Sequence, residues 1–314
     1  MIVVGGEALV DLVPEDPVPP PQLAPLAPRL GGGPYNVAIA LARMGSPTSF
    51  LSRISRDRFG QALLEHLREC GVDVSLVQRG EEPTTLAVVA PEPDGSARYS
   101  FYTDGTADRL VADPGPQDAR VGALSLGTLS LVLEPGATTY ERMLLRESAR
   151  GVFVALDPNV RGDLIADPAA YRRRFESWLP HVGLLKLSVE DARWLAADGE
   201  SDPVSQARHW AELGPAAVVL TRGSDGISVL TPDGARVDVA GRRSEVVDTI
   251  GAGDTVQAAL LHWLDRHDAL DAAAVAELTA EDWRAALDFA ATAAAITCSR
   301  PGADPPSAAE LGAA

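Results

Sequence analysis

Hydrophobic positions fall into two rhythms that alternate along most of the chain. Short apolar runs at residues 2–4, 48–52, 124–130, 152–157, 183–187 and 217–221 are β-branched or leucine-rich and read as buried strands. Between many of them, apolar residues recur at helical spacing over 36–44, 59–70, 137–150, 168–179 and 203–213. Two long Ala-rich helices are predicted near the end, over 252–266 and 281–299. Strands alternating with helices of this length predict an α/β fold, with parallel βαβ units in a sheet covered on both faces. Two stretches break the rhythm. Residues 14–33 are Pro-rich and lack helical period, while 84–106 reads as two strands, 84–91 and 97–102, joined at Pro93-Asp94-Gly95. Together they predict a small β flap standing off the main sheet, with two unrelated surface loops as the alternative.

A chain of 314 residues holds one large α/β domain with a small appendage, or two compact domains. Its hydrophobic and charged fractions, 46% and 23%, are those of a soluble globular protein. The net charge of −17 repels phosphate backbones and anionic membranes, which argues against nucleic acid as a partner. Lys186 is the only lysine; with the many Ala and Pro, that skew reads as genomic bias rather than function. Cys70 and Cys298 are far apart and form neither a disulfide framework nor CxxC spacing, which suits a reducing cytosol. The apolar start has no basic residues before it and reads as a first strand rather than a signal peptide. No segment approaches the ~20 apolar residues of a membrane span. A cytoplasmic location is expected.

The sharpest local feature is Asp248-Thr249-Ile250-Gly251-Ala252-Gly253-Asp254-Thr255, directly before an apolar helix. Glycines at a helix start let successive backbone N–H groups converge on one point, and the helix dipole adds positive potential there. An Asp in the first turn then stands beside an anion site, where it can take a proton from an attacking hydroxyl. The same residues also read as a tight turn with Asp254 capping a helix, worth ~1 kcal/mol.

That string resembles the C-terminal signature of the ribokinase-like (PfkB) carbohydrate kinases. Four further stretches are similar in family order. Gly6-Glu7-Ala8-Leu9-Val10-Asp11 looks like the first strand with its sugar-binding Asp. Leu30-Gly31-Gly32-Gly33-Pro34-Tyr35-Asn36-Val37-Ala38 looks like the N-terminal signature, a glycine run and Asn before a helix. Thr221-Arg222-Gly223-Ser224-Asp225-Gly226 resembles the nucleotide turn, and Arg300-Pro301-Gly302-Ala303 the closing loop. The resemblance implies a doubly wound, three-layer α/β core forming one kinase domain. It also implies a discontinuous β-sheet lid, over about 12–33 and 84–106, that closes over ATP and sugar to exclude water. It further implies transfer of the γ-phosphoryl of ATP to a hydroxyl of a free sugar.

Carried onto this sequence, the family's pattern makes Asp254 the base, with backbone N–H groups of Gly251, Ala252 and Gly253 holding charge on the transferred phosphoryl. Asp11, Gly32, Gly33, Asn36 and Asp254 would bind the sugar, joined by Arg98 and Phe101 from the lid, by Arg161, and by Glu134 after the strand-like residues 131–133. Lys186, Ser188, Thr221, Gly223 and Gly226, with Gly251 and Gly253, would bind ATP. Asp248, Ile250, Thr297, Arg300 and Gly302 match positions around the family's potassium (K+) site, mainly through backbone carbonyls. The Asn-x-x-Glu motif that organises magnesium (Mg2+) is altered. Within Lys186-Leu187-Ser188-Val189-Glu190-Asp191, Ser stands for Asn and Asp for Glu, so Glu190 or Asp191 would serve through water. The alternative makes both acids ordinary first-turn residues of a helix. A homodimer through lid edges is compatible with the family.

The sugar is suggested by finer likeness. The stretches around Asp11, Asn36, Arg161 and Lys186, and lid residues 99–109, most resemble bacterial fructokinases, which makes fructose the expected acceptor. The 2-keto-3-deoxygluconate kinases share Gly6-Glu7 and Asp157-Pro158-Asn159-Val160-Arg161 and remain the alternative within the family. Arg161 suits a carboxylate in bidentate fashion but equally binds hydroxyls or orients a neighbour. A sugar phosphate would call for clustered Lys or Arg, and the single lysine argues against it. Readings outside the family fare worse. There is no GxGxxG after the first strand, no Gly-Lys of a P-loop, no HExxH among the five histidines and no GxSxG. A sugar-binding regulator on the same fold is the non-enzyme alternative, and the joint presence of Asp254 and its glycine turn argues against it.

Overall fold

The computed structural model describes residues 1–15, 23–91, 97–196 and 201–312, and these build two sheets. In chain order the elements begin with β1 (Ile2–Gly5), β2 (Leu9–Pro14), β3 (Leu26–Gly31), α1 (Gly33–Met44), β4 (Thr48–Ser55) and α2 (Arg58–Glu69). Then come β5 (Val77–Gly80), β6 (Thr85–Pro91), β7 (Ala97–Tyr102), β8 (Ala123–Gly127), α3 (Gly136–Ala149), β9 (Phe153–Asp157) and α4 (Pro168–Trp178). The rest are β10 (Leu184–Ser188), α5 (Val189–Leu195), α6 (Pro203–Glu212), β11 (Ala217–Thr221), β12 (Ile227–Leu230), β13 (Arg236–Val239), α7 (Ala252–Arg266), α8 (Ala272–Ala276), α9 (Ala280–Cys298) and α10 (Ala308–Leu311).

The large sheet runs β13-β12-β11-β10-β9-β8-β1-β4-β5. Its parallel strands are buried on both faces, which is why they read as continuous apolar runs. Side chains alternate: Ile2 and Val4 join the cluster with α1, α7 and α9, while Val3 joins the one with α3, α4 and α6. Helices thus cover both faces. At β1 the order turns, with β4 on one side and β8 on the other, and such a switch point opens a crevice at the carboxyl ends of the strands. Strands β12 and β13 are antiparallel additions at one edge, which the strand–helix alternation did not mark.

The small sheet, β3-β2-β6-β7, gathers both irregular stretches, so the flap reading holds over the surface-loop one. It begins at Leu9, ahead of the Pro-rich stretch. One face carries Leu9, Ala87, Tyr99 and Phe101 and packs on Leu129. The other carries Val10, Leu12 and Leu86 into the apolar cluster with α1, so it does not stand wholly clear of the core. The Pro93-Asp94-Gly95 turn lies outside the described residues.

Local chemistry sets the element ends. Pro34 opens α1 and Gly45 closes it at φ 94. The 124–130 run splits: β8 stops at Gly127, and residues 128–131 form a 3-10 turn through Thr128 at φ 59. A strand end that must open onto a crevice cannot continue its ladder. Among the described residues, no helix is long and apolar enough to cross a membrane.

Candidate active site

A cavity of about 920 Å³ lies along the carboxyl ends of β1, β9, β10 and β11, roofed on one side by β2 and β7. Asp254 stands at its centre in the first turn of α7, 8% exposed. Its Oδ2 accepts a 2.8 Å hydrogen bond from Asn36 Nδ2, across 218 residues of sequence. Burial raises the Asp254 pKa above the ordinary carboxylate value, while the Asn36 bond, Lys186 and Arg161 pull the other way. The two glycine turns fix this meeting. A methyl group on Gly33 would strike Thr128 Cγ2 at 2.5 Å and stand beside Asp254 Oδ1 and Asn159 Nδ2, so the turn calls for glycine there. Gly251 starts α7 at φ 76, and a methyl on it would strike Ala303 at 2.5 Å.

Asp11 approaches from β2, its Oδ2 2.6 Å from where a methyl on Gly31 would lie. Its pKa is pushed up to about 6, chiefly by burial; Arg161 lowers it and the Asp254 charge raises it. That mutual influence places Asp11, Arg161 and Asp254 around one space. Phe101 and Tyr99 stack at 5.9 Å between centroids on the same face of the small sheet and line the cavity beside Asp11. Asn36, Gly32 and Gly33 complete this end.

Glycine N–H groups lie between Asp254 and a second, open end. The N–H of Ala252 makes a long 3.3 Å bond to the Thr249 carbonyl, so it is partly committed to its own turn. The N–H groups of Gly253 and Asp254 lie in the first helical turn, which lacks intrahelical acceptors. Beyond them Ser188, Thr221, Gly223 and Gly226 line the cavity, with an apolar slot of Ile227, Val246, Ala291, Ala294, Ala295 and Cys298. Gly226, at φ 99, sits 2.0 Å from the Val239 carbonyl measured to an added methyl, so the close turn requires it.

These observations fit a machine that holds a polyol at one end, a nucleotide at the other and an anion between. The pfkB family carbohydrate kinase pattern matches residues 1–310. This chain belongs to the pfkB family of carbohydrate kinases. It is 39% identical to a fructokinase of Rhizobium leguminosarum bv. trifolii over 280 residues, 88% of this chain and 84% of that one. It is 29% identical to fructokinase-2 of Zea mays, covering 97% and 90% of the two chains. Among solved structures, the fructokinase of Xylella fastidiosa with bound ATP superposes at TM-score 0.88 and 27% identity, over 99% of this chain and 97% of that one.

In this pfkB-family kinase two expected sugar contacts lie elsewhere. Arg98 is exposed and does not line the cavity, because alternation on β7 turns residue 98 away when Tyr99 and Phe101 face inward. The Glu134 carboxylate receives the Thr138 N–H at 3.0 Å and pairs with Arg174 at 3.1 Å, outside the cavity. Leu131 closes the 3-10 turn Thr128–Leu131, and 132–133 form a turn, so none of the three is a strand.

The two candidate magnesium acids separate cleanly. Asp191 is spent on structure: Oδ2 takes the Ser188 N–H and hydroxyl, and Oδ1 takes the Val160 N–H at 2.6 Å. This capping box starts α5. Glu190 is exposed and faces the cavity. At the rear of the glycine turn, Asp248 ties two loops, accepting from Ile250 N at 3.0 Å and Gly302 N at 2.8 Å. Thr297 is buried and bonds Thr255 at 2.9 Å, joining α9 to α7. The Arg300 guanidinium turns outward to Glu310 and Asp304.

Sequence reasoning passed over several groups. Glu7, 3% exposed, accepts from Thr128 Oγ1 and from Ser130 N at 3.2 Å, and burial pushes its pKa up to about 7. Asn159, at φ 39, presents its carboxamide beside Gly33. A lone charge between two apolar runs was the available signal for Glu7. The apolar slot had none, since its alanines look like any helix face.

Proposed function

We propose that this kinase is a fructokinase, transferring the γ-phosphoryl of ATP to a hydroxyl of fructose. The observation that carries the reading is Asp254, held by Asn36 within reach of Asp11 and Gly33 and placed at the glycine turn that leads to the nucleotide end. In the step, the Asp254 carboxylate takes the proton of the sugar hydroxyl as its oxygen bonds to the γ-phosphorus. The bond to the bridging β–γ oxygen breaks, and ADP leaves. N–H groups at the start of α7 face the charge that builds on the phosphoryl oxygens. The small sheet serves as the lid, laying Tyr99 and Phe101 against the sugar and excluding water.

Fructose is favoured over 2-keto-3-deoxygluconate by charge. Arg161 Nη1 already donates to the Asn159 side chain at 2.7 Å and to the Asn159 carbonyl at 3.0 Å. It also balances Asp11 and Asp254. A substrate carboxylate would face the carboxylates of Asp11 and Asp254, with the nearby Arg161 already engaged by Asn159 through Nη1, whereas neutral hydroxyls suit acceptors such as Asp11. The names of the relatives and the ATP-bound Xylella fastidiosa structure point the same way.

No group of three or more metal-binding side chains occurs among the described residues. That fits a magnesium ion carried in largely by the ATP phosphates, with Glu190 holding one of its waters. Bound there, the ion would neutralise phosphate charge. The carbonyls of Asp248 and Ile250 accept no backbone hydrogen bond among the described residues and suit a potassium ion behind the glycine turn. The test is ADP release with ATP, magnesium and a panel holding fructose and 2-keto-3-deoxygluconate. Preferential turnover of fructose supports the reading; preference for the keto-acid, or no sugar-dependent ADP, overturns it.

A further inference from the structure

Glu7 stands between β1 and β2, where the chain leaves the large sheet for the small one. It is 3% exposed, lines the cavity and has no part in the transfer step. A carboxyl buried this deeply must be hydrogen-bonded. Its Oε1 accepts from Thr128 Oγ1, and its Oε2 accepts from Ser130 N at 3.2 Å. Glu7 thus grips the turn after β8 at two points, on either side of Leu129.

The gripped turn has an unusual backbone. Thr128 has φ 59, in the left-handed region. Glycine enters that region freely, whereas a β-branched residue there is an outlier that its surroundings must enforce. Among the described residues, the other non-glycines with positive φ are Asn159 and Asp268, types that tolerate it better. Both branches of Thr128 are used. Its Oγ1 goes to Glu7, and its Cγ2 packs on Gly33, 2.5 Å from where a methyl there would lie. The same point on Gly33 is 3.4 Å from Asp254 Oδ1 and 3.6 Å from Asn159 Nδ2, so Thr128 walls the space beside the base. Leu129, the next residue, receives Leu9, Ala87, Tyr99 and Phe101 of the small sheet. The Glu7 carbonyl itself abuts the Gly32 turn, 2.7 Å from an added methyl.

We propose that Glu7 is a positioning residue for the sugar: it holds the turn at residues 128–130 in its left-handed form, so that Thr128 walls the sugar end and Leu129 seats the small sheet. The proposal rests on the sugar-kinase reading above. The grip works through hydrogen bonds rather than charge. An ionised carboxyl accepts from the Thr128 hydroxyl, and a neutral one can donate to it. Because Glu7 shapes the wall and not the base, its loss falls on KM for the sugar.

The test is a double-mutant cycle read as KM for fructose beside KM for ATP. Glu7→Ala removes the grip. Thr128→Val removes only the hydroxyl that Glu7 holds and keeps the methyl on Gly33. Each should raise KM for fructose roughly 10-fold or more, with KM for ATP within about two-fold of wild type. The double variant Glu7→Ala/Thr128→Val should be no worse than the poorer single one. Glu7→Gln should recover most of the loss, since a carboxamide can accept from Ser130 and donate to Thr128. A folded Thr128→Val enzyme with KM for fructose unchanged overturns the proposal, even where Glu7→Ala does not fold. So does a parallel rise in both KM values, a double variant in which the two effects multiply, or Glu7→Gln as poor as Glu7→Ala. Wild-type enzyme that prefers another sugar sinks the fructokinase reading alone, and the cycle is then read on that sugar.

Discussion

The two ends of the cavity are built on opposite principles. Around Asp254 the site is buried and polar: Asn36, Asp11, Arg161, Lys186 and Asp157 fix one another by hydrogen bonds and charge. At the other end it is more open, with Val246 63% exposed and alanines of α9 forming an apolar wall opposite Ser188, Thr221 and Glu190. On the proposed reading the first end carries the chemistry. On the proposed reading the second takes the purine ring against the apolar residues of α9. Damage to the first should therefore appear in kcat, and damage to the second in KM for ATP.

The largest expected effect is from Asp254→Asn, which should lower kcat roughly 10²–10⁴-fold. Calorimetry should show ATP binding retained, and the melting temperature should change little. A loss confined to melting temperature would make Asp254 a helix cap. Next, Gly251→Ala forces an L-residue to φ 76 and a methyl onto Ala303. It should cost about 1–3 kcal/mol by denaturant titration and reduce kcat as the turn shifts. Ala294→Leu fills the slot. It should raise KM for ATP several-fold with kcat unchanged, and a fall in kcat instead would erase the contrast between the ends. Arg98→Ala and Glu134→Gln, outside the cavity, should leave KM for fructose within about a factor of two, consistent with ordinary surface substitutions.

Glu7 sharpens the comparison through stability. Its folded pKa of about 7 lies above the ordinary 4.5, so between these values the folded state holds more protons than the unfolded chain. Its contribution is fullest at low pH and is lost as pH rises towards 7. Glu7→Gln should flatten that part of the stability–pH curve, as read by denaturant midpoints at pH 5 and 7.5. An unchanged slope would place the titration elsewhere.

Much of this was legible in the sequence because local patterns repeat global ones. The parallel strands read as apolar runs since both faces are covered. The string from Asp248 to Thr255 read either as an anion site or as a tight turn with a helix cap, and its likeness to the family signature favoured the anion site. The failures have physical causes too. Arg98 and Phe101 are three apart on one strand, so period-2 alternation forbids both from facing the sugar. Asp191 looked like a metal acid because capping a helix and holding magnesium call for the same residue type in the same turn. Glu134 was misplaced because the left-handed backbone of Thr128, which ends β8, leaves no mark in a threonine. The pairing of Lys186 with Asp157 joins residues 29 apart and needed β9 and β10 side by side.

The central claim is that a buried carboxylate, tuned by Asn36, is the base. The decisive measurement is kcat/KM for fructose against pH, for wild type and Asn36→Ala. Activity should fall as pH drops through the raised Asp254 pKa, because the carboxylate must be free to accept a proton. Burial also raises Asp11 and Asp157 to about 6 and Glu7 to about 7. Only Asp254, however, has its carboxylate form stabilised by the Asn36 hydrogen bond. Asn36→Ala should therefore move the acid limb to higher pH. A limb that stays in place, or a profile flat down to pH 4, would contradict the account.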